Sequence, residues 1–282
     1  MRIAIVAPGS RLDPAIADRT VKLARSFAPG LDLSFHPQCF SSSGHFAGTD
    51  EERANAFLEA ANDSGIDAVW FARGGYGAGR VTLLALHRLN ETAAQKMYLG
   101  YSDAGALLAG LYTLGFRDVV HGPMPADLNR AGGEEALQRS LAYLMSRDPA
   151  ALEPAVSPDT PTAAFNITIL SHLIGTPFQP DLAGHVLMLE EVSEYMYRID
   201  RALLHITSNP LIRAVAGIRL GRCSAIPAND PDFGQTEEDI ARHWCEISGI
   251  PYLGRADIGH DVANKVVPFG RVSHPLRVAN SE

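Results

Sequence analysis

Apolar positions in the first half of the chain fall into two alternating kinds of segment. Short continuous apolar runs are followed by longer stretches with apolar residues at helical spacing, the pattern of buried strands that alternate with helices. This pattern predicts strands at 3–7, 31–36, 67–72, 97–99 and 119–124, and helices at 13–27, 50–61, 81–89, 104–112 and 133–147. Such an order favours a mostly parallel sheet flanked by helices, whose ligands bind beyond the carboxyl ends of the strands.

The segment 148–161 interrupts this pattern with four prolines in fourteen residues, a composition typical of an extended connector. The apolar pattern then resumes and predicts helices at 166–173, 198–207 and 236–248, with strands at 185–190, 214–220 and 251–258. We therefore predict an N-terminal α/β domain over 1–147, a linker over 148–161 and a C-terminal domain over 162–282.

Composition is that of an ordinary globular protein, with 46% hydrophobic and 20% charged residues among 282. A formal net charge of −8 argues against nucleic acid or an anionic membrane as the main partner. The N-terminal apolar run of five residues is too short for a signal peptide. Since no stretch approaches the roughly 20 apolar residues that span a bilayer, we expect a cytoplasmic protein with no membrane partner.

Cysteine spacing gives no sign of a cross-linked or metal-bound framework. The three cysteines, Cys39, Cys223 and Cys245, are far apart and form no CxxC pair. Neither disulfides nor a zinc site are indicated, and a reducing compartment is the natural expectation.

Residues 99–106 are interpreted as a short strand, a tight turn and the start of a helix, with Ser102 at the turn. A nucleophile elbow needs small residues around its serine so that the side chain projects from a strained turn beside a free backbone N–H. Gly100 fits this pattern, and Ala104 occupies the second glycine position. The alternative is that Ser102 or Asp103 only caps the helix.

A glycine-rich loop at 73–80 follows a predicted strand directly. Glycines in that place allow the backbone to approach a ligand closely and present N–H groups to a phosphate or an oxyanion. The spacing does not match the dinucleotide fingerprint, and no Walker lysine follows. A tight connection without a ligand is the alternative.

A serine nucleophile needs a base, and ten histidines are available. His121 lies at a strand end, and His260 lies beside a glycine just past another strand, where loop residues tend to be exposed and functional. Three histidines lie inside helical patterns and are expected to be packed or surface residues: His172, His205 and His243.

Glu190 ends an apolar strand, where a carboxylate is costly unless it is hydrogen-bonded or used. The neighbouring Glu191 and Glu194 leave open a plain solvated acidic turn. The residues taken by themselves therefore indicate a two-domain hydrolase with a serine nucleophile.

Several motifs together resemble those of the LD-carboxypeptidases, the muramoyl-tetrapeptide carboxypeptidases related to microcin immunity peptidases. In chain order they are Arg73-Gly74-Gly75-Tyr76-Gly77, Gly100-Tyr101-Ser102-Asp103, His121-Gly122-Pro123-Met124, Gly175-Thr176-Pro177, Leu189-Glu190, Tyr197-Arg198-Ile199-Asp200-Arg201 and Gly259-His260. The resemblance implies an N-terminal α/β domain that carries the nucleophile and a smaller β-rich C-terminal domain that carries the other two triad members. One departure is Ala164-Phe165-Asn166, which stands where the family usually has Gly-Gly-Asn.

Matching motif to motif, the resemblance implies Ser102 as nucleophile, His260 as general base and Glu190 as the acid that orients it. The backbone N–H groups of Gly75 and Asp103 would form the oxyanion hole. Recognition of a terminal carboxylate needs a cation or free N–H groups, and Arg73 and Gly74 are the candidate substrate-binding residues.

The implied reaction releases terminal D-alanine from murein tetrapeptides in cell-wall recycling through an acyl-enzyme, without a metal or other cofactor, in a homodimer. One alternative is an amidase of the microcin immunity type, which cleaves a peptide–nucleotide conjugate and needs aromatic or cationic groups that the sequence does not place. Another is a non-catalytic binder of murein peptides.

Overall fold

A computed structural model describes residues 1–272 of the chain. Within them the first sheet has six strands: β1 (Arg2–Val6), β2 (Asp32–Phe35), β3 (Ala68–Phe71), β4 (Met97–Gly100), β5 (Val119–His121) and β10 (Val267–Pro268). Their order is β10-β5-β4-β3-β1-β2, and each neighbouring pair is parallel except β10 with β5. The predicted mostly parallel sheet is confirmed.

Helices cover both faces of this sheet: α1 (Pro14–Phe27), α2 (Asp50–Asn62), α3 (Ala78–Ala85), α4 (Gly105–Thr113) and α5 (Gly133–Ser146). Because strand side chains alternate between faces, Ile3 and Ile5 of β1 join a buried apolar cluster with α1 and α5. Ala4 and Val6 join a second cluster with α2, α3 and α4. The sheet is therefore buried on both sides, as its continuous apolar strands require.

A smaller second sheet occupies the C-terminal part of the described chain. Its strands are β6 (Thr162–Asn166), β7 (Val186–Val192), β8 (Gly217–Ser224) and β9 (Tyr252–Arg255), all parallel and in that order. Its helices are α6 (Ile167–Leu173), α7 (Met196–Ser208) and α8 (Glu237–Ser248). A capping box at Thr236 and Asp239 starts α8.

The two sheets share one apolar core. Leu187 and Leu189 of β7 belong to the same buried cluster as Val69 of β3 and Leu107 of α4. The chain also returns from the second sheet to the first at β10. The boundaries at 1–147, 148–161 and 162–282 stay a prediction, and residues 273–282 lie outside the described residues.

The proline-rich segment 148–161 packs against residues near the end of the described chain. Leu152 pairs with Val266 in a parallel bridge, and the buried Glu153 accepts a hydrogen bond from the Asp257 N–H at 3.1 Å. The strand β6 follows at once, and the sequence pattern missed it because two of its five residues are alanines, which have little strand preference.

Among residues 1–272, no helix is both long enough and apolar enough to cross a membrane.

Candidate active site

Ser102 lies two residues after the end of β4 and has a φ of +59°, in the left-handed region that a residue with a Cβ rarely adopts. Such a conformation costs on the order of 1–3 kcal/mol and persists where the surrounding structure enforces it. A single 3₁₀ turn, Ser102–Ala104, then leads into α4. A Cβ at Gly100 would lie 2.7 Å from the Phe71 ring, so only glycine fits before the turn. The predicted change from strand to helix therefore occurs at Ser102.

The structure brings Ser102 together with His260 and Glu190, which lie far away along the chain. The Ser102 hydroxyl is 2.9 Å from His260 Nε2, and His260 Nδ1 is 2.5 Å from Glu190 Oε2. When Nδ1–H donates to the carboxylate, Nε2 is left as the acceptor for the serine hydroxyl. Glu190 lies in β7, fully buried, and His260 lies in the loop after β9.

The environment of His260 favours its protonated form. Burial alone would lower the pKa of His260, but the charge and hydrogen bond of Glu190 outweigh it and raise the pKa above its usual 6.5. The Tyr101 ring packs against the imidazole with 4.9 Å between ring centroids. The imidazole is thus fixed in position and stabilised when it accepts a proton.

Gly74 and Gly75 line the site next to Ser102. A Cβ at Gly74 would lie 2.8 Å from Ser102 Oγ, so a side chain there would displace the hydroxyl. Gly75 has a φ of +88°, and a Cβ on it would lie 2.4 Å from Ser10 Oγ. The absence of side chains allows the loop backbone to approach Ser102 closely.

Asp103 ties the glycine-rich loop to the serine turn. Its buried carboxylate accepts the Ala78 N–H at 2.7 Å, at the start of α3. Burial raises the pKa of Asp103 to about 6. The Asp103 side chain therefore faces the loop, while its backbone N–H belongs to the turn next to Ser102.

A cavity of about 310 Å³ opens beside Ser102 and His260. Gly74, Gly75 and Arg73 line it, and the Arg73 guanidinium donates to the carbonyl of Arg11 at 3.0 Å.

Arg130 also lines this cavity, and the sequence analysis did not single it out. Its Nη1 lies 3.1 Å from Asp127 Oδ1 and 3.3 Å from the Tyr101 hydroxyl, while that hydroxyl donates to the same Asp127 oxygen at 2.7 Å. The sequence feature that could have identified Arg130 is its position shortly after β5, because the loops that follow parallel strands meet at one edge of the sheet.

His121, the other candidate base, is buried away from the serine hydroxyl. Its Nε2 lies 3.2 Å from Asn264 Oδ1, and burial lowers its pKa to about 4. His121 is therefore neutral near pH 7 and packs behind Tyr101, with 5.5 Å between the ring centroids. Its position indicates a structural role.

The two carboxylates at the end of β7 are both buried, so the alternative of a solvated acidic turn is wrong for Glu190 and Glu191. They point to opposite faces of the strand. Glu191 accepts hydrogen bonds from Asn166 Nδ2 at 2.6 Å and from the Thr168 N–H at 2.9 Å, and so fixes the start of α6. Glu190, on the other face, bonds His260 instead.

Comparison with known proteins finds relatives along nearly the whole chain. A Synechocystis sp. protein that carries a provisional carboxypeptidase name is 31% identical over 278 residues, covering 95% of this chain and 89% of the relative. The crystal structure of muramoyltetrapeptide carboxypeptidase from Oxalobacter formigenes superposes with a TM-score of 0.76 at 26% identity, covering 96% of this chain and 93% of that one.

The microcin C7 self-immunity protein MccF, in a complex with aspartyl sulfamoyl adenosine, superposes with a TM-score of 0.78 over 95% of this chain and 91% of that one. Its identity of 17% shows a common fold alone. Residues 3–122 match the LD-carboxypeptidase N-terminal domain, and residues 161–274 match the LD-carboxypeptidase C-terminal domain. The chain is thus a carboxypeptidase, and it belongs to the LD-carboxypeptidase family.

Proposed function

We propose that this enzyme is a serine carboxypeptidase that releases terminal D-alanine from murein tetrapeptides. The observation that carries the proposal is the chain of contacts from the Ser102 hydroxyl through His260 to the buried Glu190, with distances of 2.9 and 2.5 Å. This is the arrangement in which a base removes a serine proton while a carboxylate holds the base in the required tautomer.

In the proposed reaction, His260 Nε2 takes the hydroxyl proton as Ser102 Oγ attacks the carbonyl carbon of the bond before D-alanine. The backbone N–H groups of Gly75 and Asp103 then stabilise the oxyanion. His260 returns its proton to the leaving nitrogen, the C–N bond breaks and D-alanine departs. Water attacks the resulting ester with His260 again as base, which regenerates Ser102 and releases the tripeptide.

The surroundings of Ser102 support acyl transfer. The strained backbone at Ser102 projects the hydroxyl from the turn, and the loop at Gly74 approaches it without a side chain. The substrate class rests on family membership and on the printed name of the similar Oxalobacter formigenes enzyme.

The place of the enzyme in the cell is a further part of the proposal. The wide spacing of Cys39, Cys223 and Cys245 suits a reducing cytoplasm, where recovered murein peptides would be recycled. The homodimer stays a prediction from the family resemblance.

The deciding experiment measures free D-alanine released from L-Ala-D-Glu-meso-diaminopimelate-D-Ala by the wild-type protein and by Ser102→Ala. Release by the wild type alone supports both the reaction and the nucleophile. Release by both proteins would reject Ser102 as the nucleophile.

Absence of release by either protein would reject the tetrapeptide as substrate. The same pair would then be assayed with peptide–nucleotide conjugates, the substrates of the alternative amidase. A non-catalytic binder would turn over neither substrate and would bind murein peptide equally well with Ser102 or Ala at this position.

A further inference from the structure

Arg130 lines the cavity beside His260, and its role is inferred from the reaction proposed above, so the inference rests on that proposed function. In that reaction His260 gives a proton to the leaving nitrogen, so the leaving residue lies next to the imidazole. Its carboxyl carbon is two bonds from that nitrogen, which puts the carboxylate oxygens within roughly 4 Å of it. A group that recognises the free carboxylate must therefore lie close to His260.

Arg130 is close enough to His260 for its positive charge to lower the pKa of the imidazole. The guanidinium lines the same cavity as Ser102 and His260, and its charge opposes the protonation of the imidazole. Its Nη1 is 3.3 Å from the hydroxyl of Tyr101, whose ring packs against His260. Arg130 thus lies on the imidazole side of the cavity, where the leaving residue departs.

The Arg130 side chain is held in place by its neighbours, but some of its hydrogen-bond donors have no partner among the described residues. Asp127 has a side chain 5% exposed, and its two oxygens bind Arg130, the Tyr101 hydroxyl and the Met124 N–H. Within residues 1–272, the contacts of the Arg130 guanidinium with Tyr101 and Asp127 are made by Nη1, which leaves Nε and Nη2 for a ligand. A guanidinium fixed in this way presents a planar pair of donors that matches a carboxylate.

Arg73, the cation expected from the sequence, is less suited to this task. Its Nη1 donates to the carbonyl of Arg11, and its buried Nε, like the Nε of Arg130, has no partner within residues 1–272, so free donors do not distinguish the two arginines. Arg73 therefore braces the turn before α1. The two arginines differ in that Arg130 is next to the tyrosine that contacts His260.

We infer that Arg130 binds the terminal carboxylate of the leaving D-amino acid, and that this contact restricts the enzyme to C-terminal residues. An enzyme that depends on this ion pair should cleave a peptide with a free terminal carboxylate much faster than the same peptide with a terminal amide. The Arg130 side chain is 36% exposed, and a bound peptide would cover it, so loss of its charge partner should cost about 100-fold in kcat/KM.

The test compares kcat/KM for L-Ala-D-Glu-meso-diaminopimelate-D-Ala and for the same peptide ending in D-alaninamide. For the wild type, we expect the free acid to be preferred by about 100-fold. In Arg130→Gln the ratio of the two rates should fall to nearly one, because the acid loses the ion pair that the amide never makes. Arg130→Lys, which keeps the charge but loses the planar donor pair, should retain part of the preference.

The ratio of the two rates is measured within each preparation, so a partly folded variant does not disturb it. Arg25→Gln is the matched control, since Arg25 is exposed on α1 away from the cavity, and it should keep the wild-type ratio. An equal loss on both peptides in Arg130→Gln, or an unchanged ratio, would overturn the inference and leave the proposed function intact. If the wild type releases nothing from the free acid, the proposed function fails and the inference fails with it.

Discussion

The serine side of the site and the acid–base side are built in different ways. On the serine side, the determinants are backbone features of the loops after the neighbouring strands β3 and β4: the left-handed Ser102 and the side-chain-free Gly74 and Gly75. On the acid–base side, Glu190 lies in β7 and His260 in the loop after β9, and the two side chains are held together by charge and a hydrogen bond. The serine side should therefore be sensitive to added atoms, and the acid–base side to lost charge.

The largest expected effect is loss of the nucleophile itself. Ser102→Ala should reduce D-alanine release by at least about 10⁴-fold with the fold preserved, since the other triad members cannot act without the hydroxyl. His260→Ala should lose nearly as much, and the double variant no more than either single one. Additive losses in the double variant would show that the two residues do not work as a unit.

Replacing the buried acid tests the electrostatic side. Glu190→Gln should lower kcat by about 10³- to 10⁴-fold, because the neutral amide no longer fixes the tautomer or stabilises the imidazolium. Only neutral His260 accepts the serine proton, so wild-type kcat/KM should fall as the pH drops through a pKa above 6.5. Loss of the Glu190 charge lowers the pKa of His260 and should move this acid limb to lower pH.

Burial raises the pKa of Asp103 to about 6, so this carboxyl needs its own control. In Asp103→Asn, the acid limb should remain where it is in the wild type. If the acid limb of the pH profile disappears in Asp103→Asn and does not move in Glu190→Gln, the group that titrates is Asp103 and not His260.

A pair of glycine variants tests the steric side. A Cβ at Gly74 would lie 2.8 Å from Ser102 Oγ, so Gly74→Ala should lower kcat/KM by about 100-fold through displacement of the hydroxyl. Gly79 lies in α3 with nothing within 4 Å of a Cβ, so Gly79→Ala should keep wild-type kinetics. It should also stabilise the helix by about 0.5 kcal/mol, measured by urea unfolding. Equal activity in the two variants would remove the steric argument.

The smallest expected effect concerns the loop that carries His260. Arg222 of β8 bonds both Asp261 and Asp257, on either side of His260, and its backbone N–H donates to Ile258 at 2.8 Å. Since this guanidinium is partly exposed, Arg222→Met should lower kcat/KM by only about 10-fold.

Arg222→Lys should restore part of that loss. Arg219, on the same strand, donates instead to the carbonyl of Arg255, and Arg219→Gln is the matched control. Equal losses in Arg222→Met and Arg219→Gln would mean a general effect on β8.

Local patterns predicted the strand, turn and helix around Ser102 and the glycine-rich loop, but they left a helix cap and a tight connection open as alternatives, and the family resemblance supplied the roles of these residues. The apolar run before Ser102, the small residues after it and the glycines at 74 and 75 each encode their geometry within a few positions. The alternation of strands and helices likewise predicted the first sheet. The family resemblance supplied the pairing of Glu190 with His260, which residue patterns alone left open.

The features that were missed depend on distant partners. β6 is recognisable as a strand only once β7 pairs with it, because its own residues carry little preference. Arg130 has no local motif, and its place in the cavity follows from Asp127 and the distant Tyr101. β10 is two residues long and is defined by its pairing with β5, far earlier in the chain.

The late position of β10 has a consequence for synthesis on the ribosome. Strands β1 to β5 and Ser102 emerge first, whereas His260 and β10, which covers the edge of β5, are translated more than 130 residues after β5. Until then the nascent chain presents an uncovered edge strand, a surface that chaperones or other strands can engage. The nucleophile therefore remains without its base until the chain has been translated past His260.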